Sequence, residues 1–354
     1  MKTTRRFALG AAGAGLLAAP ALVRADAPIR WRMATSWPKN LPGPGVSAAR
    51  LAGRVARMSG GRLQIDLFAA GEIVPAFAVL DAVSNGTVEM GHTASFFWEG
   101  KAPAASLFTT APFGMAAVEH QAWLAERGGQ ALWDRLYEPF GVRGLLAGNT
   151  GPSMGGWFRK ELGSAADLKG LRIRVQGLGG DVYAELGAVP QSIPPGDVYP
   201  ALERGVIDAV ELLSPANDLP LGFHRVAPVY YMPGFNKPNG AAEALVATKA
   251  WEKLAPELQA IVEAACAAEH AAGLADAERS NAEAIVKLVS MGARPTPFPA
   301  DVLAAARKAA DAVLDRVAAK TPLAGEIVAS YRTASSEGRP WARIQGYMAQ
   351  ALRG

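Results

Sequence analysis

Short runs along the chain alternate apolar and polar residues with period two. Between them the period lengthens to that of an amphipathic helix. Residues 29–34 read as an opening strand, and a helix is expected over about 46–58, with Leu51 and Val55 inward and Arg50, Arg54 and Arg57 outward. Gly60-Gly61 ends that helix, 63–68 alternates as a second strand, a helix through 77–83 stops at Asn85-Gly86, and 88–91 is a third strand. This βαβαβ start predicts an open α/β sheet covered on both faces. Residues 117–137 are helical with a break at Gly128-Gly129, and 142–147 is a further strand.

The alternation then starts again. Two extended runs, 155–160 and 171–175, flank a polar turn with helix-cap candidates at Ser164 and Asp167. A helix over 181–186, a second over 199–205 with Asp197 as its N-cap, and strands over 206–213, 226–232 and 244–247 follow. From Ala250 the chain is alanine-rich and helical, with expected helices from 256 towards 288, over 300–318 and over 339–353. The fold class expected is α/β: two α/β segments with the chain crossing between them give two lobes and a cleft, followed by long C-terminal helices. Residues 26–146 plus 233–270 form the first lobe, 147–232 the second, and 271–354 a helical region packing across both.

In the 171–175 run, Leu171, Ile173 and Val175 alternate with Arg172 and Arg174. An arginine beside a buried face is unfavourable unless an anion meets it, and that anion is either a protein carboxylate or a ligand. Glu211, near the end of the 206–213 run, is the other charged residue placed this way. Arginine holds a carboxylate with two parallel hydrogen bonds. Glutamate repels the same ligand, so Glu211 either pairs with Arg174 or shares a cation with the ligand. Spacing leaves both open.

Two other motifs carry less. Gly151-Pro152-Ser153-Met154-Gly155 matches the G-x-S-x-G elbow of serine hydrolases, with Asp208 or Glu211 and His224 in the right order for a triad. The chemistry needs a helix after the serine, and Gly156-Trp157-Phe158 is a β-type sequence instead. An exported serine hydrolase using Ser153 is the alternative function. Gly177-Leu178-Gly179-Gly180 lacks the third glycine of a dinucleotide fingerprint, because Val182 stands there.

Composition narrows the class. The 354 residues are 50% hydrophobic and 19% charged, enough for two lobes with cores. The single Cys266 and four scattered histidines offer neither an internal disulfide nor a metal cluster. Lys2, Arg5 and Arg6 followed by the apolar, small-residue stretch 8–23 read as an export signal over 1–25, with Thr4-Arg5-Arg6-Phe7 resembling a twin-arginine motif and a Sec signal as the alternative. That segment holds four basic residues and no acid, so the formal charge of +4 falls to about zero without it. A basic surface for nucleic acid is excluded, and a periplasmic location is expected.

Several motifs occur together in order: SWP, GEIVPAF, LDAVSNGTVEMGH, FFWEGK, APFGM, GNTGPSMGGWFRKELGSAADLKGLRIRVQGLGG, VIDAVE, SPANDLPLGF and YYMPG. They resemble the solute-binding subunits of tripartite ATP-independent periplasmic (TRAP) transporters, in the branch that binds 2-oxo acids and related organic acids. The resemblance implies a two-lobed binding-protein fold with a ligand cleft between lobes, no enzyme activity, an organic-acid ligand and TRAP membrane permease subunits as partners. It implies Arg174 as the carboxylate clamp. It also implies a metal cation, sodium or calcium, between ligand and protein, held by the Glu211 side chain and the Leu212 carbonyl. Where the branch has glutamine as the third ligand, Ser153 stands; where it has tryptophan, Leu212 stands. Asn149, Phe97 and Trp37 are further cleft residues by position. Some relatives dimerise by exchanging a C-terminal helix; a monomer is the alternative.

Overall fold

The computed structural model describes residues 27–353. The expected export signal lies outside the described residues. In chain order the elements begin with strand β1 (Ile29–Thr35), helix α1 (Pro44–Met58), β2 (Leu63–Phe68), α2 (Val79–Ser84) and β3 (Met90–Thr93). Next come α3 (Ala117–Glu126), α4 (Gly129–Tyr137) and β4 (Val142–Asn149). The second half of the α/β region holds β5 (Gly156–Phe158), β6 (Arg172–Arg174), α5 (Leu178–Glu185), β7 (Val189–Gln191), α6 (Val198–Glu203), β8 (Ala209–Val210), α7 (Pro215–Asp218) and β9 (Val229–Met232). The chain closes with β10 (Ala241–Ala247), α8 (Thr248–Trp251), α9 (Pro256–Ser290), β11 (Arg294–Pro297), α10 (Ala300–Lys320) and α11 (Pro322–Arg353).

The strands form two sheets. One runs β2-β1-β3-β10-β4 and the other β11-β9-β5-β8-β6-β7. In the first, β1 pairs parallel with β2 and β3, while β10 returns antiparallel between β3 and β4. Strand β10 thus rejoins a sheet begun two hundred residues earlier, so the chain crosses to the second sheet after β4 and back after β9. Helix α9, about 50 Å long at 1.5 Å per residue, spans both. Its first half buries Leu258, Val262 and Cys266 in the core of the first sheet, and Leu288 near its end lies in the core of the second.

Three differences from the sequence pattern have physical reasons. Strands β7 and β11 each contain proline (Pro190; Pro295 and Pro297) and carry no alternation signal. They occupy the two outer edges of the second sheet, where the missing N–H breaks no ladder. The run expected as a strand over 206–213 pairs only through Ala209 and Val210, because the chain turns away at Glu211 to enter the crevice described below. The final helix starts at Pro322, well before residue 339, where the Thr321 hydroxyl accepts from Ala324 N at 3.0 Å. It runs on through Pro340 and exposes Trp341, Tyr347 and Leu352.

A buried chain of polar groups ties α4 to the first sheet. Trp98 Nε1 donates to the Tyr137 hydroxyl at 2.9 Å, and Tyr137 donates to Glu243 Oε2 at 3.0 Å. Burial pushes the Glu243 carboxyl up from 4.5 to about 8, with the tyrosine bond opposing. A carboxyl raised in the folded state stabilises fully below its unfolded value, and that stability is lost as pH rises through the folded one. Glu243→Gln keeps the Tyr137 acceptor without titrating. Its melting temperature relative to the native chain is therefore expected to climb steadily between about pH 5 and about pH 9, which scanning calorimetry across that range checks.

Candidate functional site

Strand β6 presents its two arginines differently. Arg172, at the open end, is half-exposed and held by Asp208, with Nε to Oδ2 at 2.9 Å and Nη2 to Oδ1 at 2.6 Å. Arg174, at the other end, is 1% exposed. Its Nε donates to Ile193 O at 3.0 Å and Nη1 to Glu211 O at 2.8 Å. These are carbonyls, so the guanidinium is oriented without being neutralised. Arginine carries five N–H donors, and among the described residues the remaining three have no acceptor. Burial lowers its pKa to about 10, with Glu211 and Asp218 opposing, so it stays charged at neutral pH.

Glu211 is fully buried beside it. The expected alternative of an Arg174–Glu211 side-chain salt bridge is not what forms. The Glu211 carboxylate instead meets Lys237 Nζ at 2.9 Å. The approach is out of line for a hydrogen bond, which leaves both carboxylate oxygens without a donor among the described residues. Lys237 is 3% exposed, donates to the Leu212 carbonyl, and places its ammonium 5.4 Å from the centre of the Phe96 ring. Burial pushes the Glu211 carboxyl up and the Lys237 ammonium down, and the opposite charge of each offsets the other. A fourth charged group, Asp218, takes bonds from Trp157 Nε1 at 2.9 Å and the Tyr230 hydroxyl at 2.8 Å, and burial raises it to about 7.

The backbone fixes these groups relative to one another. Glu211 N donates to Arg174 O at 2.8 Å, Met154 N to Leu213 O at 3.2 Å, and Ser153 N to Lys237 O at 3.0 Å. The crossings after β4 and after β9 therefore lie side by side. A methyl group at Gly234 would stand 1.9 Å from the Ser153 carbonyl, so this approach requires glycine. Ser153 Oγ and both amide atoms of Asn236 are buried without a hydrogen-bond partner. Buried polar atoms are seldom left without a partner, and these sit on the two crossings that carry Lys237 to Glu211. Ser153 Oγ has no histidine partner and β5 follows where a hydrolase elbow needs a helix, so the triad expectation fails.

The first lobe supplies aromatics. Trp37 and Phe97 lie with ring centres 5.8 Å apart, and Phe96 packs on Phe97 at 4.7 Å. Phe96 also faces the turn between β6 and α5. Gly177 there has φ +69°, and a methyl on it would come 2.8 Å from Phe96 Cβ, so the two lobes touch at this point. Trp37 is held in place by His92: indole Nε1 donates to Nδ1 at 2.9 Å, and Nε2 contacts Ala147 O at 2.8 Å. Burial pushes that imidazole down to about 4. Asn149 donates to Asn239 Oδ1 at 2.7 Å and accepts from Gly151 N at 2.8 Å, which braces the two crossings rather than meeting Arg174. The clefts that Asn149 and Ser153 line do not include Arg174 or Glu211. Sequence reasoning missed Lys237 and Asn236, both buried in the loop FNKPNG, whose polar composition carries no local signal of burial.

Residues 33–321 match the bacterial extracellular solute-binding proteins, family 7. The chain belongs to that family. It is 41% identical over 316 residues to a monocarboxylate 2-oxoacid-binding periplasmic protein from Nostoc sp. (strain PCC 7120), covering 89% of this chain and 86% of that one. It is 40% identical to a TRAP transporter solute-binding protein from Bordetella bronchiseptica RB50, with TM-score 0.89 over 92% of this chain and 98% of that one; that crystal structure holds copurified calcium and picolinate. A TRAP periplasmic solute-binding protein from Pseudoalteromonas atlantica T6c, with bound sodium and pyruvate, matches at 37% identity and TM-score 0.88 over 91% of this chain and 99% of that one. The resemblance seen in the motifs, the two-lobed fold with long C-terminal helices and the absence of catalysis all agree with this family. Family members are binding subunits, not enzymes. The expected sodium or calcium accompanies the organic acid in the relatives. Among the described residues no helix is long and apolar enough to cross a membrane.

Proposed function

We propose that this chain is a periplasmic receptor that takes a 2-oxo or 2-hydroxy monocarboxylate into the crevice between its lobes and delivers it to TRAP permease subunits. The observation that carries this reading is Arg174: a buried guanidinium with its orientation set by two carbonyls and three N–H groups to spare. It clamps the ligand carboxylate. Phe97, packed at a tilt against Trp37, covers the apolar part of the ligand, and the Phe96–Gly177 contact closes the crevice. Residues 147–232 act as the second lobe and 26–146 plus 233–270 as the first. Because both crossings and α9 join them, the lobes open and close around the ligand, which shifts the equilibrium to the form the permease recognises.

The relatives' names and bound acids support the ligand class. Protein purified from its native host should release a small carboxylic acid on denaturation, identified by mass spectrometry. Release of only neutral or cationic solutes would overturn the reading.

A further inference from the structure

The relatives hold a free sodium or calcium ion beside the organic acid. The residues expected to hold such an ion here are the Glu211 carboxylate, the Leu212 carbonyl and Ser153. Two of those three are already in contact with one cation of the chain's own. Lys237 Nζ lies 2.9 Å from Glu211 Oε1 and donates to Leu212 O. A calcium ion on the same two oxygens, at roughly 2.4 Å from each, would have to occupy the space the ammonium fills and face its charge in a buried setting. The third donor is weak as well: Ser153 has a short side chain, and its Oγ is buried without a partner. Among the described residues no cluster of three His, Cys, Asp or Glu offers a replacement site. The donor set therefore does not fit a free ion in those contacts.

We propose that the Lys237 ammonium is a tethered substitute for the free cation, so that this protein binds its 2-oxo acid without sodium or calcium. The ammonium does what the ion does in charge terms. It lets Glu211 share a crevice with an anion, and it presents an N–H to the oxygen beside the carboxylate that Arg174 holds. Its position is fixed from several sides: the carboxylate and carbonyl just named, the Phe96 ring at 5.4 Å, and a backbone pinned by Ser153 N and by Gly234 O at 3.1 Å. An ammonium carries one charge and donates directionally, where calcium carries two and accepts many ligands. This inference rests on the reading of the crevice as an organic-acid site.

Calorimetry with pyruvate tests it, on protein freed of ligand by unfolding and refolding. The titration is run in sodium-free buffer with chelator and again with added calcium or sodium. The native chain should bind with a dissociation constant unchanged within about twofold between the buffers, and elemental analysis of the protein–pyruvate complex should find no stoichiometric metal. Lys237→Ala should bind at least about 30-fold more weakly with chelator and regain part of the loss with calcium, because the vacated carboxylate and carbonyl then accept an ion. Lys237→Met, which keeps the stem, should show the same loss. If neither variant folds, the chelator arm on the native chain decides alone. A native affinity that collapses on chelation and returns with calcium or sodium would overturn the proposal while leaving the acid-site reading intact. No binding of pyruvate or its longer 2-oxo homologues in either buffer would overturn both.

Discussion

Arg174→Ala is expected to weaken binding of a 2-oxo acid by at least about 30-fold, because truncating one partner of a desolvated charge pair costs 2–5 kcal/mol or more. The guanidinium is the positive group whose protein contacts are only carbonyls, so its charge is left for the ligand. Arg174→Lys separates charge from geometry: the ammonium restores the sign but not the two-pronged grip, and should recover only part of the loss. Titration calorimetry on both variants, with melting temperatures to confirm folding, measures this. A dissociation constant within threefold of the native value for the alanine variant would refute the clamp.

Glu211→Ala should be the most destabilising single change in the crevice. Glu211 is the carboxylate that meets the Lys237 ammonium, and it lies next to the Arg174 guanidinium. Removing it leaves two buried cations facing each other, with Asp218 bonded to Trp157 and Tyr230 instead. Losing one member of a buried pair costs about 3–5 kcal/mol. Denaturant unfolding of the ligand-free protein should show that loss. Adding Lys237→Met should restore much of it, because the second change removes the charge stranded by the first. Additive effects of the two substitutions would mean that the pair is not coupled.

Much of this was readable in the residues. The two α/β halves, the break at Gly128-Gly129, the long alanine-rich helices and the placement of Arg174 and Glu211 followed from period and charge alone. What stayed hidden depends on contacts far apart in sequence. Strands β7 and β11 look unlike strands because prolines suit only the sheet edges they occupy. Arg172 and Arg174 look alike in the alternating run, and only Asp208, 36 residues on, ties off the first and leaves the second. Period and charge also give no sign of what Lys237 does. A lysine in a polar loop is ordinarily solvated, and nothing local says that FNKPNG folds under Phe96 onto Glu211.

The most direct measurement is a crystal structure of the complex with a 2-oxo monocarboxylate. It should show the carboxylate between the lobes, with two oxygens within hydrogen-bond distance of the Arg174 guanidinium and Phe97 against the carbon chain. An acid seated elsewhere, for example in the basic cleft lined by Arg307, Arg339 and Arg343, with Arg174 left untouched, would contradict the account.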